Sequence, residues 1–256
     1  MDGTVKYVWQ MTPPDYLPPG EEFRAGGYTF RVHPGGKEVS THMEEHEFDH
    51  SVVDKLEAHL HSYLDAVQLR HFKSYKLKRD GRYDRTGVRS FGEPAVAVAR
   101  AGVGNVQILN ADGAVIFDAK EEEARNRQEV IGRLERDANL LSRCSDDPCL
   151  RSMRSSFDQA CNDQDNELIH LYEIRDAAAS RFSGGGAARE ALGIARNEWD
   201  DFHKICNDRG LAQDRHRGSK YAELRQATHE ELGIARRFAR DLIMRYIAYI
   251  ERTDAF

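Results

Sequence analysis

Long apolar runs and a dense set of cysteines are both missing from this 256-residue sequence. No stretch approaches the roughly 18–20 consecutive apolar residues that a membrane-spanning helix needs. Residues 1–7 contain no apolar signal segment, so we expect a cytoplasmic protein. The four cysteines form no C-x-x-C pair and show no zinc-finger spacing, which argues against a disulfide scaffold. We interpret them as free thiols: Cys144, Cys149, Cys161 and Cys206.

A surplus of positive charge is also missing. The chain has 37 Lys and Arg against 43 Asp and Glu, a formal net charge of −6. This balance excludes a protein coated in positive charge for nucleic-acid binding, because phosphate neutralisation normally requires a net basic domain. Two short segments are nevertheless net positive, residues 70–89 and 209–220. Any contact with nucleic acid is therefore expected at one of these two segments.

Common motifs for cofactors and metals are missing too. The sequence has no complete glycine-rich phosphate loop, no G-x-S-x-G elbow and no H-E-x-x-H motif. His42, His46 and His50 have the four-residue spacing of helical metal ligands, but the segment around them is acidic and polar. We interpret this segment as a solvated surface. We therefore expect no cofactor and no metal.

The pattern of elements changes near residue 120. Before it, short β-like runs alternate with turns, and one apolar stripe predicts a helix over 51–67. We predict a hairpin from strand 28–32, a strand over 67–77, and a later hairpin with strands over 103–109 and 114–118. After residue 120 the periodicity is helical almost throughout. We therefore predict an α+β protein, with a small mixed α/β N-terminal domain over 1–119 and an all-α bundle of about five helices over 120–256.

Local end signals place several of the helices in the second half. Asp147-Pro148 predicts an N-cap followed by proline at the first helical position. Thr228 and Glu231 form a capping box that opens the last helix. Asn197 is predicted to cap a helix over 198–206. The short helices over 187–206 resemble a helix-turn-helix in outline, but the acidic second helix favours a structural pair over a DNA reader.

Basic and aromatic residues are interleaved over 70–89. Such a pattern on a hairpin can contact phosphates and stack bases. The alternative is an ordinary solvated hairpin tip. The candidate nucleic-acid-binding residues here are Lys76, Lys78, Arg79 and Arg82.

Residues 207–218 bring Asn, Asp, Gln, Arg and His side chains together just before the last helix. An Arg and a His can cleave RNA without a metal, because the imidazole can exchange protons with the 2′-hydroxyl or the leaving oxygen. The guanidinium can stabilise charge on the phosphate. Arg209 and His216 are the catalytic candidates, and Arg215, Arg217 and Lys220 are candidates for holding RNA. Residues that could support them are Asn207, Asp214, His170 and Glu173.

Arg209, six intervening residues and His216 resemble the R-x(4–6)-H motif of the HEPN superfamily. The whole C-terminal half, from residues 166–176 through 215–218, also resembles an uncharacterised bacterial family. The HEPN resemblance implies an all-α bundle that forms homodimers, with two motifs lining one cleft. It also implies a ribonuclease of a bacterial defence or toxin system.

Two hypotheses about function follow. In the first, the C-terminal bundle is a metal-independent endoribonuclease, a homodimer that binds RNA and no membrane. In the second, the bundle is a non-catalytic dimerisation or regulatory module, and the Arg-rich loop is structural. The sequence leaves open whether Arg209 or Arg215 is the functional arginine.

Overall fold

The computed structural model describes residues 4–44, 50–80, 107–109, 115–215 and 223–253. The chain divides into two compact units, each built from two segments. The first unit comprises Met1–Leu60 and Leu77–Asp137, and the second comprises His61–Lys76 and Ala138–Phe256. The predicted boundary between residues 119 and 120 falls inside the first unit. We call the second the helical unit.

A five-stranded antiparallel sheet forms the centre of the first unit. Its strands lie in the order β2-β3-β4-β1-β5. Alternate side chains of β1, including Tyr7, Trp9 and Met11, are buried, as expected for a strand with one core-facing side. The predicted strand over 28–32 is confirmed, and the predicted hairpin is its antiparallel pairing with β4. On the other side of β3, Phe23 of β2 stacks on Phe30 at 5.5 Å. The strands are β1 Thr4–Thr12, β2 Glu22–Ala25, β3 Tyr28–Val32, β4 Glu38–Glu44 and β5 Lys76–Arg79.

Helix α1 spans His50–His71 and is longer than predicted. The predicted strand over 67–77 is wrong, because the helix continues through Val67 and only β5 is extended. Both Val67 and Leu69 are buried in the helical conformation, and Gln68 donates a hydrogen bond to Asp158 at 2.9 Å. These contacts come from residues far along the chain, so local β propensity could not reveal them.

A short hairpin and a long helix are the next described elements along the chain. Strand β6 (Gln107–Leu109) pairs antiparallel with β7 (Val115–Asp118), which confirms the predicted return strand. Helix α2 follows at once over Ala119–Arg143. Asp118 caps it, since its carboxylate accepts hydrogen bonds from the backbone N–H of Lys120 and Glu121. Residues 103–106 and 114 of the predicted strands lie outside the described residues.

Five further helices confirm the predicted bundle. The Asp147 carboxylate accepts the N–H of Leu150, as the cap prediction required. Asn197 is not a cap: the fourth of these helices begins at Arg196 after Ala195. The helices are α3 Pro148–Asn162, α4 Glu167–Arg181, α5 Gly185–Leu192, α6 Arg196–Asn207 and α7 His229–Thr253.

Aromatic side chains join α6 to α7 in the core of the helical unit. Phe202 stacks on Phe238 at 4.3 Å, and Trp199 meets the same ring edge-on. Trp199 and Phe202 are both buried, so this contact fixes the orientation of α6, the helix that also carries His203 and Asn207. Among the residues described, none of the helices carries an apolar stretch that could traverse a bilayer.

Candidate functional site

The Arg-rich loop, residues 208–228, joins α6 to α7, and backbone hydrogen bonds link its two ends. After α6 the chain turns at Gly210, whose φ of 61° suits glycine. The N–H of Ala212 then donates to the carbonyl of Arg225 at 2.8 Å, and the N–H of Arg225 donates to Gly210 at 3.2 Å. Residues 216–222 of this loop lie outside the described part, so the placements of His216, Arg217 and Lys220 do too.

One buried carboxylate, Glu231 on α7, fastens both ends of the loop. Arg209 donates to its Oε1 at 2.8 Å, and Arg225 donates to both oxygens at 2.7 and 2.8 Å. The N–H of Thr228 donates to the same carboxylate at 2.9 Å, and the N–H of Glu231 donates to the Thr228 hydroxyl. The predicted capping box is therefore confirmed. We call Arg209, Arg225, Thr228 and Glu231 the Glu231 cluster.

The Glu231 cluster combines one buried carboxylate with two half-exposed guanidinium groups. Glu231 is only 7% exposed, while the Arg209 and Arg225 side chains are 43% and 51% exposed. The hydrogen bonds from Arg225, together with those from Thr228 and Arg209, hold the pKa of Glu231 far below its usual range. A buried carboxylate with this many donors is ionised and paired, so Arg209 has a structural partner that sequence spacing did not reveal.

A second polar group lies between α4, α6 and the start of the loop. Tyr172 accepts a hydrogen bond from Arg175 at 2.6 Å, and its hydroxyl lies 2.8 Å from Nδ1 of His203. The Arg175 guanidinium also lies 4.9 Å from the Tyr172 ring and 4.5 Å from the Trp199 ring. Arg215 lies 5.1 Å from the Tyr172 ring centroid. We call Tyr172, Arg175, His203 and Arg215 the Tyr172 cluster.

Arg215 is held in place while half of its side chain stays exposed. It donates to Asp176 at 2.9 Å, and its backbone N–H donates to the carbonyl of Cys206 at 3.1 Å. The side chain is 47% exposed. A guanidinium has five N–H donors, and a pair with one carboxylate does not use them all. Arg215 therefore has donors that an anionic ligand could engage.

His203 is the titratable imidazole of the Tyr172 cluster. Its side chain is 41% exposed, and its Nε2 lies 3.7 Å from the Asp208 carboxylate. Asn207 is buried beside it and donates to the His203 carbonyl at 3.1 Å. Burial raises the pKa of Tyr172, although the Arg175 charge acts in the opposite direction. The phenol therefore stays protonated near neutral pH.

The structure separates the two arginines that the sequence could not distinguish. Arg209 pairs with Glu231 on α7, and Arg215 pairs with Asp176 on α4. Asp214 is fully buried and accepts the N–H of Leu211 at 3.2 Å, which closes a turn of the loop. Asn207 and Arg215 are the predicted residues that belong to or border the Tyr172 cluster.

The predicted supporting pair on α4 contacts other elements. Ser156 of α3 donates to Glu173 at 3.0 Å. His170 lies 3.3 Å from Asp163 and 3.6 Å from Glu173. The residues of α4 that reach the Arg-rich loop are instead Tyr172 and Asp176, one position before and three after Glu173.

The basic candidates of the first half differ in their partners. Arg79 donates to Asp54 and Glu57 of α1, both at 2.8 Å. Lys76 and Lys78 are exposed on β5. Arg82 lies outside the described residues. Lys76 and Lys78 therefore keep exposed charge that a phosphate could meet.

Sequence reasoning missed Tyr172, Arg175, Asp176 and His203 as members of a site. The signal available for three of them was their spacing on α4, where residues three and four apart share a face. No local signal joined them to His203, which lies 31 positions further on. Within the described ranges, no group of three or more His, Cys, Asp or Glu side chains could hold a metal ion.

Comparison with known proteins yields no relative. No protein-family model, no curated protein and no solved structure matches this chain.

Proposed function

We propose that the helical unit is a metal-independent ribonuclease that acts on the RNA backbone at the Tyr172 cluster. The observation that carries the proposal is the placement of Arg215. Its guanidinium is fixed by Asp176 and the Tyr172 ring beside the half-exposed His203, and it directly precedes His216 in the sequence. Two guanidinium groups, an imidazole and one aromatic ring form an environment suited to a phosphate.

In this proposal Arg215 takes the role that the sequence alone would give to Arg209. The Glu231 carboxylate, 7% exposed, accepts a hydrogen bond from Arg209, so Arg209 already takes part in fastening the loop to α7. Asp176 is 46% exposed, so the pair it makes with Arg215 is solvent-screened and costs little to rearrange. Because Arg215 directly precedes His216, this assignment departs from the R-x(4–6)-H spacing of the HEPN resemblance and retains only the use of an arginine together with His216.

The chemistry needs no external cofactor. A general base takes the proton of the 2′-hydroxyl, whose oxygen attacks the adjacent phosphorus. The P–O5′ bond breaks, and the leaving 5′ oxygen receives a proton from a general acid. The resemblance assigns His216 as the acid/base that takes the 2′-hydroxyl proton and returns a proton to the leaving 5′ oxygen. Arg215 stabilises the extra negative charge on the phosphate oxygens. A cyclic 2′,3′-phosphate and a 5′-hydroxyl are the expected products.

The wider assignment is part of the same proposal. A homodimer formed through the helical unit, as the resemblance implies, would bring two such sites together, in keeping with a bacterial defence or toxin role in the cytoplasm. Lys76 and Lys78 on β5 would supply additional phosphate contacts.

RNA degradation in the presence of EDTA tests the function. The full-length protein is incubated with a mixed RNA substrate, beside the His216→Ala variant and a matched His229→Ala control from the exposed start of α7. The proposal expects cleavage by the wild type and the control, and loss of at least about 100-fold in His216→Ala. Equal cleavage by all three proteins, or none by any, contradicts it.

A second candidate function is favoured by the Glu231 cluster. Because Glu231 fastens Arg209 and Arg225 at the two ends of the loop, the loop can be a purely structural element of a non-catalytic dimerisation or regulatory module. This candidate predicts no cleavage by the wild type together with a concentration-dependent dimer in light scattering. Cleavage that depends on His216 excludes it.

A further inference from the structure

We infer that Arg175 and Tyr172 lock His203 into the neutral tautomer that carries its proton on Nε2, which makes His203 a fixed hydrogen-bond donor to the substrate phosphate. The inference rests on the proposed function for the identity of the ligand, but the tautomer itself follows from the hydrogen bonds of the Tyr172 cluster. Arg175 and Tyr172 are then positioning residues, and His203 is a phosphate-binding residue.

The first step concerns the direction of the hydrogen bonds at Tyr172. Arginine can only donate, so the Tyr172 oxygen accepts from Arg175 at 2.6 Å. The phenol has a single proton of its own, and its oxygen lies 2.8 Å from Nδ1 of His203. Donation of that proton to Nδ1 leaves the Tyr172 oxygen accepting from Arg175. A proton on Nδ1 would instead require the phenol oxygen to accept twice and would direct the phenol proton away from this nitrogen.

The second step concerns the two edges of the imidazole. The side-chain N–H₂ of Asn207 lies 3.3 Å from the same Nδ1, so a second donor is directed at that nitrogen. On the opposite edge, Nε2 lies 3.7 Å from the Asp208 carboxylate, which can only accept. Donors at Nδ1 and an acceptor near Nε2 select the same tautomer, with Nδ1 bare and the proton on Nε2.

The third step concerns rigidity. The Arg175 guanidinium lies 4.9 Å from the Tyr172 ring centroid and 4.5 Å from the Trp199 ring centroid. Tyr172 is stacked on Phe202 at 6.1 Å, and both Trp199 and Phe202 are buried. The donor to the Tyr172 oxygen therefore belongs to the core of the helical unit, and the tautomer is set before any ligand binds.

The consequence separates the roles of the two histidines. A neutral imidazole with its proton on Nε2 has no free lone pair on its outward edge, so it cannot act there as a general base. It can donate to a non-bridging phosphate oxygen beside Arg215. Proton transfer is then left to His216, and His203 contributes to binding and orientation of the scissile phosphate.

The tautomer can be measured without any activity. Long-range ¹H–¹⁵N correlation spectra of the full-length protein, recorded at about pH 8 where an ordinary imidazole is neutral, distinguish the two ring nitrogens. The His203→Gln spectrum assigns the signal, and exposed His229 serves as the internal reference. The inference expects a bare Nδ1 and a protonated Nε2. An Nδ1-protonated ring, or the averaged pattern of His229, overturns it whether or not the protein cleaves RNA.

Substitutions test the donor role. The amide of Gln reproduces an N–H donor near the Nε2 position but cannot exchange protons with substrate. We therefore expect His203→Gln to lose less kcat/KM for RNA than His203→Ala, which loses about tenfold or more. Equal losses in both variants overturn the donor role. If the wild type does not cleave RNA, the proposed function fails, and the same comparison is made on the Kd of an RNA oligonucleotide.

A third variant tests the positioning residues. Tyr172→Phe removes the donor to Nδ1 and leaves the ring, so the His203 spectrum is expected to shift toward a mixture of tautomers. An unchanged His203 spectrum in folded Tyr172→Phe overturns the assignment of Tyr172. If this variant does not fold, the wild-type spectrum and the Gln–Ala comparison still decide the inference.

Discussion

Arg209 and Glu231 are separated by 22 positions in the chain, yet a 2.8 Å hydrogen bond joins the guanidinium to the carboxylate. Glu231 is at the same time the acidic half of the capping box that opens α7. One side chain thus starts a helix and fastens the loop that carries the candidate chemistry. This pair is the reason for assigning Arg209 to structure and Arg215 to phosphate binding.

Removal of the Glu231 carboxylate is expected to destabilise the helical unit. Glu231→Gln leaves two arginines without their anion and weakens the capping box, for a loss of about 2–3 kcal/mol in the free energy of unfolding. Arg209→Ala leaves Arg225 on the carboxylate, so its cost should be about 1 kcal/mol or less. Urea denaturation followed by circular dichroism measures both values, and the reverse order would contradict the account.

Acid should weaken the same contact. The pKa of Glu231 is lower in the folded protein than its ordinary value of 4.5. The ionised carboxylate therefore stabilises the fold above that pH, and this contribution is lost progressively as the pH falls below it. In thermal melts from pH 7 to pH 3, the Tm of Glu231→Gln should fall by less than the Tm of the wild type. Parallel curves for the two proteins would show that Glu231 is not the titrating group.

Arg175 is expected to be intolerant of lysine. The flat guanidinium lies close to both the Tyr172 and Trp199 rings, and an ammonium group cannot reproduce that stacking. We expect Arg175→Lys to cost about 1–2 kcal/mol of stability. With Trp9→Phe as background, Trp199 is the one remaining tryptophan, and its emission reports on this site. Wild-type stability and emission in Arg175→Lys would argue against the stacked arrangement.

The exposed lysines of β5 should affect the salt dependence of RNA binding. Replacing Lys76 and Lys78 by Gln is expected to weaken binding and to lower the slope of log K against log salt by about 1.4, the value for two single-strand phosphate contacts. Lys37→Gln with Lys55→Gln makes the same charge change elsewhere and serves as the control. If both double variants give the same slope, β5 does not contact RNA.

Local signals predicted much of the fold. The Asp147 cap and the Thr228–Glu231 box depend on residues within three positions of each other, and the structure contains both. The continuation of α1 through Val67 was not predictable in this way, because the apolar–polar alternation that starts at Val67 suits a strand until distant packing is known. The Asn197 cap was also wrong: the helix begins at Arg196, two residues before the predicted start, without a side-chain cap.

The site was less predictable than the fold. The carboxylates that bind Arg209 and Arg215 are Glu231 and Asp176, which lie 22 and 39 positions away, so spacing along the sequence could not identify them. His203 lies on the acidic α6 that argued against DNA binding, and only tertiary packing places it beside Tyr172. Spacing reveals which residues share a helix face, and it does not reveal which faces meet.

The most direct test of the central claim compares Arg215→Ala with Arg209→Ala in RNA cleavage with EDTA present. Arg196→Ala, whose side chain is 82% exposed, is the matched control. All variants are assayed well below their measured Tm, so that activity is compared among folded proteins. We predict that Arg215→Ala lowers kcat/KM by about 100-fold, while Arg209→Ala and Arg196→Ala stay within about threefold of the wild type. A large loss in Arg209→Ala with little change in Arg215→Ala would contradict the assignment.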